Sequence, residues 1–393
     1  MRAVLVLLLC FLLAGQVMAA DRVVSEYVYK RLTRVHELME EDQHEQALKR
    51  LQKIRPATTN RYEQALVQQT YGYLYAAREE YGNAIEAFQS CLALSALPQT
   101  ARKNTLYNLA QLQLATADVT QAIVTLQQWF KLEKQATAQA HALAGTAYAQ
   151  VKRYDEAIEH LQQAIAKSSD ATETWYRQLL AVYYDAARYK AAARLLEQMT
   201  QQFPQRKVYW QQLSSVYRLL HDDTKSLAVL ELAYQQSLLS SERELIELVH
   251  YYLYMNMPYQ AGKRLARALQ EGKVSSTSQH WRLLSDGWLS AKETQHAVSA
   301  MERAAELAED AESYLRLAQL ASQTENWDLV IHAVDQAFQI GDLNDPGQGQ
   351  LLKGMAHYFR GDYQAARAVF EQALTNTSVQ AEARKWLEYM ASG

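Results

Sequence analysis

The fold of this chain is decided by the stretch Tyr154-Asp155-Glu156-Ala157-Ile158, with Leu161 and Ala164-Ile165 after it and Gly145 and Tyr148 ahead of it. The same pattern occurs earlier in the chain, at Gly72, Tyr75, Tyr81, Ala84-Ile85, Phe88 and Cys91-Leu92. It occurs again near the C-terminus, at Gly354, Tyr363, Ala366, Phe370 and Ala373-Leu374. Small and aromatic residues at fixed offsets are typical of a repeated pair of helices.

Close packing of two antiparallel helices explains why small residues recur. A small residue early in the first helix lets the second helix approach, and it stands at Gly72, Ala110, Gly145, Ala318 and Gly354. A small residue early in the second helix forms the other half of the contact, at Ala84, Ala122, Ala157, Ala192, Ala261, Ala297 and Ala366. One such pair cannot bury its apolar face alone, so its stability depends on stacking in an array.

The spacing of the pattern predicts ten repeats. They start near residues 28, 65, 103, 138, 173, 207, 242, 278, 311 and 347, at intervals of 33 to 38 residues. This period resembles that of the tetratricopeptide repeat (TPR), which is about 34 residues long. The resemblance implies an all-α fold of about ten TPR helical hairpins in a right-handed superhelical solenoid.

The array is expected to have the following organisation. Repeats one to nine occupy residues 28–345, the tenth occupies 347–377, and a C-terminal capping helix occupies 379–390. Pro258 is placed at the turn between the two helices of its repeat, because proline interrupts a helix. Gly341 to Gly349, with three glycines and one proline, is expected to be the most flexible joint.

Residues 1–20 predict a secretory signal peptide. Met1-Arg2 gives a positive start, Val4 to Leu13 is continuously apolar, and the small residues before Ala20 suit cleavage after Ala19. The sequence therefore predicts export to the periplasm, and an uncleaved anchor in the inner membrane is the alternative. No second stretch is long and apolar enough to span a bilayer, so no integral membrane segment is expected after cleavage.

Composition argues against several classes of function. The formal net charge is −3, and removal of a leader with one Arg and no acid gives −3 − 1 = −4. The chain has no long basic run, so nucleic acid is not an expected partner. Of the two cysteines, Cys10 lies in the leader and Cys91 takes a position where other repeats have Ala, which indicates a small buried residue.

The sequence shows no motif that would carry catalysis. Its ten histidines are scattered, and none forms the helical pair with Glu that binds zinc, so we expect isolated surface or satisfied histidines and neither metal nor cofactor. Gly347-Gln348-Gly349 does not continue into a dinucleotide-binding pattern. The protein is therefore predicted not to be an enzyme, and an atypical site in the groove of the array remains the alternative.

A candidate binding groove follows from the register of the repeats. In TPR proteins the second, fifth, ninth, twelfth and thirteenth positions of a repeat line the concave face. In the middle repeats these positions hold Arg177, Tyr184, Asp185, Gln211, Arg218, His250, Tyr254, Arg282 and Asp286. This mixture of Arg, Tyr and acids suits an extended peptide, and an ordinary solvated surface is the alternative.

The chain also resembles a narrower family, the periplasmic TPR proteins that accompany TonB–ExbB–ExbD energy-transducing systems of Gram-negative bacteria. The resemblance rests on Val28 to Thr33, Glu37 to Glu41, Tyr71 to Tyr73, Leu106 to Leu112 and Leu227 to Tyr234. It implies a scaffold that serves TonB-dependent iron or siderophore transport, with TonB, ExbB or ExbD as partners. Exported TPR arrays also resemble accessory subunits of envelope biogenesis, exopolysaccharide secretion and pilus assembly, which is the alternative.

Overall fold

The computed structural model describes residues 23–54, 59–168 and 172–392, and this part of the chain contains 21 α-helices and no strand. The first unit of the array contains α1 (Glu26–Glu40), α2 (His44–Leu51), α3 (Arg61–Ala77), α4 (Tyr81–Ala93), α5 (Gln99–Ala115), α6 (Val119–Leu132), α7 (Ala138–Gln150), α8 (Tyr154–Lys167) and α9 (Glu173–Asp185). The second contains α11 (Lys207–Leu219), α12 (Asp223–Gln235), α13 (Glu242–Tyr254), α14 (Pro258–Gln270), α15 (Ser278–Ser290), α16 (Thr294–Ala308), α17 (Ala311–Ser322), α18 (Trp327–Ile340), α19 (Pro346–Phe359), α20 (Tyr363–Ala373) and α21 (Gln380–Ser392). Helix α10 (Tyr189–Gln202) contains the boundary between the two compact units, Met1–Ala192 and Ala193–Gly393.

The helices follow one another as pairs joined by tight turns, and α21 comes after the tenth pair. This order confirms the predicted all-α fold of tandem TPR hairpins with a terminal helix. The predicted signal peptide, residues 1–20, lies outside the described residues. Among the helices that the structure describes, none combines the length and the apolar character needed to cross a membrane.

The first helices begin at or near the predicted repeat starts. From the fourth pair to the ninth they begin at residues 138, 173, 207, 242, 278 and 311. The second pair begins at Arg61, four residues before the predicted 65, because Asn60 caps α3 there. The Asn60 side chain accepts the Glu63 N–H, and the Glu63 carboxylate accepts the Asn60 N–H, so two free backbone donors are satisfied together.

Three of the hairpins are closed by a glycine packed against a large residue sixteen positions later. A side-chain carbon added at Gly72 would overlap the Phe88 ring. One added at Gly145 would lie 2.6 Å from Leu161 Cγ. The equivalent atom at Gly354 would lie 2.5 Å from Phe370 Cε1. The small residues identified in the sequence therefore do allow the second helix to approach closely.

The turns inside the hairpins share one hydrogen bond. The residue after the turn donates its N–H to the carbonyl five positions earlier, as in Arg153 to Tyr148 at 2.9 Å and Asp222 to Tyr217 at 2.9 Å. The residue directly before this donor has a left-handed backbone in all ten turns. These residues are Asp42, Glu79, Ala117, Lys152, Ala187, His221, Asn256, Lys292, Glu325 and Gly361. This hydrogen bond is the one that ends helices in a Schellman motif. Because nine of the ten residues are not glycine, composition alone does not reveal the turn.

Tyrosines at one position of the first helix tie consecutive hairpins together. Gln127 Nε2 donates to the Tyr148 hydroxyl at 3.2 Å, and Gln162 Nε2 donates to the Tyr183 hydroxyl at 2.8 Å. In the second unit Tyr217 donates to Glu197, and Tyr252 donates to Glu231 Oε2 at 2.5 Å. The rings of these four tyrosines are buried. The excess of Tyr over Phe in this chain is thus partly structural, because the hydroxyl bonds the preceding hairpin.

The predicted joint at 341–349 is shorter than the glycine pattern suggested. Only residues 341–345 connect α18 to α19, and Pro346 to Gly349 form the first turn of α19. Gly347 and Gly349 are buried, and an added side-chain carbon at Gly347 would lie 2.8 Å from Val379. These two glycines therefore permit close packing at the start of α19. Pro258 is similarly the first residue of α14 and not part of the preceding turn, a position where proline fits well.

The C-terminal helix covers the end of the last hairpin, as predicted. Ala383 is buried, and the Trp386 ring stacks on Phe370 with centroids 5.5 Å apart. Cys91 is also as predicted, since it is fully buried and its Sγ lies 3.1 Å from the Ala65 carbonyl oxygen. Burial raises the pKa of this thiol to about 12, so it stays protonated and unreactive.

We expect Gly72→Ala to destabilise the chain by about 1–3 kcal/mol, because the new methyl group must displace the Phe88 ring. Gly82→Ala is the matched control, since nothing lies within 4 Å of a carbon added there. Alanine at this helical position should stabilise by up to about 1 kcal/mol. Urea unfolding followed by circular dichroism measures both, and equal effects of the two substitutions would contradict the packing argument.

We expect Tyr252→Phe to cost about 1–2 kcal/mol, because it leaves the Glu231 carboxylate without its hydroxyl donor. Burial, together with the hydrogen bond to Glu231, raises the pKa of Tyr252 to about 12, so the hydroxyl is protonated at neutral pH. Tyr254→Phe on the exposed side of the same helix should change stability little. The midpoint of urea unfolding distinguishes the two substitutions.

Candidate protein-binding face

The nine residues predicted for the groove all lie on the first helices of consecutive pairs. Helix α9 carries Arg177, Tyr184 and Asp185, α11 carries Gln211 and Arg218, α13 carries His250 and Tyr254, and α15 carries Arg282 and Asp286. The α9 residues belong to the unit that ends at Ala192, and the other six belong to the unit that begins at Ala193. The use of these residues in binding stays a prediction.

On α9, Arg177 and Asp185 are exposed and Tyr184 is half-buried. The Tyr184 ring meets Tyr189 edge to face, with centroids 6.2 Å apart. Burial raises the pKa of Tyr184, and the neighbouring Tyr189 raises it further. The Tyr184 hydroxyl is therefore protonated at neutral pH, and its ring is packed against Tyr189.

In the second unit, two predicted residues lie near Tyr251 of α13: Arg218 of α11 acts on it electrostatically, and Tyr254 stacks on it. We define the tyrosine patch as Arg218, Leu219, Asp223, Tyr251 and Tyr254. The Tyr251 hydroxyl donates to Asp223 Oδ1 at 3.1 Å, and the Tyr254 hydroxyl donates to Asp223 Oδ2 at 3.5 Å. The two tyrosine rings are stacked with centroids 6.0 Å apart. One carboxylate thus orients two aromatic side chains.

The tyrosine patch exposes two large apolar side chains. Tyr254 keeps 71% of its surface exposed and Leu219 keeps 51%. Arg218 is exposed as well, and its Nη2 lies 3.3 Å from Ser215 Oγ. Burial raises the pKa of Tyr251, and its hydrogen bond to Asp223 acts in the same direction. Exposed aromatic and aliphatic side chains beside an arginine are the composition found at centres of protein interfaces.

Gln211, by contrast, takes part in a polar contact within the array. Its Nε2 donates to Glu244 Oε1 at 3.0 Å, and Lys207 Nζ lies 2.8 Å from the same oxygen. Burial by itself would raise the pKa of Glu244, but Lys207 and the hydroxyl and amide of Ser241 lower it to about 2. Glu244 is therefore a carboxylate that joins α11 to α13.

Arg282 and Asp286 are also committed to neighbouring helices. Arg282 Nη2 donates to Asp310 Oδ2 at 3.0 Å and to Ser313. Asp286 Oδ1 accepts from Arg316 Nη2 at 2.5 Å. A partner protein would have to compete with these ion pairs. Of the predicted residues in this unit, Arg218, His250 and Tyr254 remain the best placed for a partner, because all three are exposed.

Sequence reasoning missed three members of the tyrosine patch. Leu219 occupies the thirteenth position of its repeat, so the register that identified Tyr254 points to it as well. Tyr251 lies outside the five inward positions, and Asp223 lies on the second helix of its pair. Only the packing of α12 against α13 shows that these two residues share the surface.

Two of the histidines are not isolated, and the contact between their rings satisfies them instead. His141 Nδ1 and His160 Nδ1 are 3.1 Å apart, on α7 and α8 of one hairpin. Burial, together with the charges of His160 and Lys167, lowers the pKa of His141 to about 4. Burial also lowers the pKa of His160. Both imidazoles are therefore neutral at pH 7. In the described part of the chain, no three or more His, Cys, Asp or Glu side chains are grouped to hold a metal ion.

The histidine pair predicts a loss of stability in acid. The unfolded His141 titrates near 6.5 and the folded one near 4, so the unfolded chain binds more protons between these values. We expect the melting temperature to fall as the pH decreases from 6.5 towards 4. His141→Asn should reduce this dependence, whereas His250→Asn, at an exposed position, should leave it unchanged. Thermal melts at a series of pH values test the difference.

Comparison with known proteins identifies the repeat. Two family models of the tetratricopeptide repeat match the chain, one at residues 148–215 and the other at residues 348–377. The chain therefore contains tetratricopeptide repeats, as the sequence predicted. Among curated proteins, none matches this sequence significantly.

Solved structures with similar helical arrays include a tetratricopeptide repeat protein from Parabacteroides merdae, with 11% identity over 72% of this chain and 94% of that chain and a TM-score of 0.37. A chain of the Naa15/Naa10 complex bound to HypK-THB is 11% identical over 93% of this chain and 67% of that chain, with a TM-score of 0.47. The TPR2AB domain of yeast Sti1 in complex with pHSP90 is 20% identical over 65% of this chain and 98% of that chain, with a TM-score of 0.29. These TM-scores are low, so the assignment rests on the family models and the hairpins. None of these proteins supports the association with TonB.

Proposed function

We propose that this chain is a protein-binding scaffold that holds a partner on the first helices of its second unit, with the tyrosine patch at the centre. The observation that carries the proposal is the exposure of Tyr254 and Leu219 beside Arg218. The side chains around them are tied to one another, because Asp223 is engaged by two tyrosines and Asp286 by Arg316. A rigid surface of this kind can bind a partner without paying much ordering entropy.

The second part of the proposal concerns location and pathway. The pattern in residues 1–20 favours export to the periplasm, and the resemblance to TPR proteins of TonB–ExbB–ExbD systems suggests that the partner is a component of such a complex. An uncleaved leader would instead anchor the chain in the inner membrane. An accessory role in envelope biogenesis, exopolysaccharide secretion or pilus assembly is the alternative pathway, and it uses the same fold.

Capture from the envelope tests the binding surface. The full chain, expressed in a Gram-negative host that carries a TonB system, should recover TonB, ExbB or ExbD after mild crosslinking. Arg218→Glu combined with Tyr254→Ala should lower the apparent affinity at least about fivefold, because each change removes an interface anchor. Arg303→Glu is the control, since Arg303 lies on a second helix and pairs with Glu306 at 2.6 Å.

The outcomes separate the two parts of the proposal. Undiminished capture by the double variant would place the binding surface elsewhere on the array. Recovery of synthase or pilus components instead of TonB components would favour the alternative pathway. Fractionation of the host should show the chain in the periplasm at the mass expected after cleavage behind Ala19, and retention in carbonate-washed membranes at full mass would indicate the uncleaved anchor.

A further inference from the structure

The histidine pair of the fourth hairpin lies in a site that the proposed scaffold function does not use. Thr137 caps α7, His141 lies in its first turn, and His160 lies midway along α8. Their Nδ1 atoms face each other at 3.1 Å, and both side chains are half-buried. The two imidazoles are thus close enough to act together, and each side chain keeps part of its surface exposed to solvent.

Aromatic rings hold both imidazoles in place. The Phe130 ring, on α6, lies 5.2 Å from the His141 ring and 4.9 Å from the His160 ring, measured between centroids. Tyr148 stacks on His160 at 5.4 Å, and its hydroxyl accepts from Gln127. Residues of three helices therefore surround the pair, and rotation of the two rings would turn both Nδ1 lone pairs towards one ion.

The charged groups that act on the pair come from α8. The carboxylates of Glu156 and Glu159 act on His160, and the ammonium of Lys167 acts on His141. Glu156 is itself bound by Arg153 at 2.9 Å. The two acids favour a cation beside His160, while Lys167 opposes one beside His141. The nitrogen atoms must therefore supply most of the affinity for an ion.

The separation of the two nitrogens fits ligation of one metal ion. Metal–nitrogen bonds of about 2.0–2.1 Å that span the observed 3.1 Å enclose an N–metal–N angle of about 100°. That angle lies between the square-planar and the tetrahedral values. Each neutral imidazole has one N–H, and with that proton on Nε2 both Nδ1 lone pairs are available to an ion once the rings turn towards it. Binding then replaces the hydrogen bond between the rings without net release of protons.

We propose that His141 and His160 together bind one divalent transition-metal ion through their Nδ1 atoms, with water in the remaining positions. Imidazole ligands of this kind bind Cu²⁺ more tightly than Ni²⁺ or Zn²⁺. With two protein ligands the site is open, so the bound ion can accept a further donor. The scaffold would then carry a metal-dependent contact in its first unit.

Titration of the full-length chain, free of any purification tag, with CuSO₄ at pH 7.5 tests the site. We expect one equivalent of Cu²⁺ to bind before any weaker sites, with an electron paramagnetic resonance spectrum that shows coupling to two imidazole nitrogens. His141→Asn and His160→Asn should each weaken this equivalent at least about tenfold, and the signal of two coupled nitrogens should be lost. His250→Asn, at an exposed position in the second unit, should retain both properties.

A second measurement covers variants that fold poorly. Addition of Cu²⁺ should raise the melting temperature of the unsubstituted chain, because the ion binds the folded hairpin more tightly than the unfolded chain. No such rise should occur in His160→Asn, whose circular dichroism spectrum without metal reports its fold. Absence of a first tight equivalent in the unsubstituted chain, or its persistence in both variants, would show that the pair is only a hydrogen bond between histidines.

Discussion

The structure depends on the close approach of two helices at a residue with little or no side chain. Where Gly72, Gly145 and Gly354 lie on the first helix, the second helix presents Phe88, Leu161 and Phe370 sixteen residues later. A larger residue in the first position would separate the helices and expose the apolar seam that the next hairpin covers. Because each hairpin is stable only when stacked, this local contact has consequences for the neighbours on both sides.

Polar contacts then tie each hairpin to the next. Tyrosine hydroxyls bond the preceding second helix, as in Tyr183 with Gln162, and carboxylates join first helices, as in Glu244 with Gln211 and Lys207. These contacts use many of the side chains that a sequence pattern would assign to a binding groove. What remains for a partner is the surface that the array leaves exposed, which in the second unit includes the tyrosine patch proposed above.

The sequence was sufficient to predict the helices but not all of their connections. Periodic small and aromatic residues located most first helices to the residue, since packing constrains those positions strongly. The sequence assigned Gly347 and Gly349 to the connection, whereas they lie in the packed first turn of α19, because glycine serves flexibility and close packing equally well. The left-handed residues of the turns were not visible, because Glu79, Lys152 and Lys292 give no sign of that conformation in the sequence.

By itself, the sequence determined the all-α class, the number and order of the hairpins, the terminal helix and the buried state of Cys91, because each follows from side-chain size at a fixed interval. It also indicated which helix positions could face a partner. Only the tertiary structure decided which of those side chains are already paired, as Arg282 and Asp286 are, and which remain exposed, as Tyr254 is. Only the tertiary structure brought His141 and His160 together. The reason is that these contacts join residues nineteen or more positions apart, on different helices whose packing sets the distances.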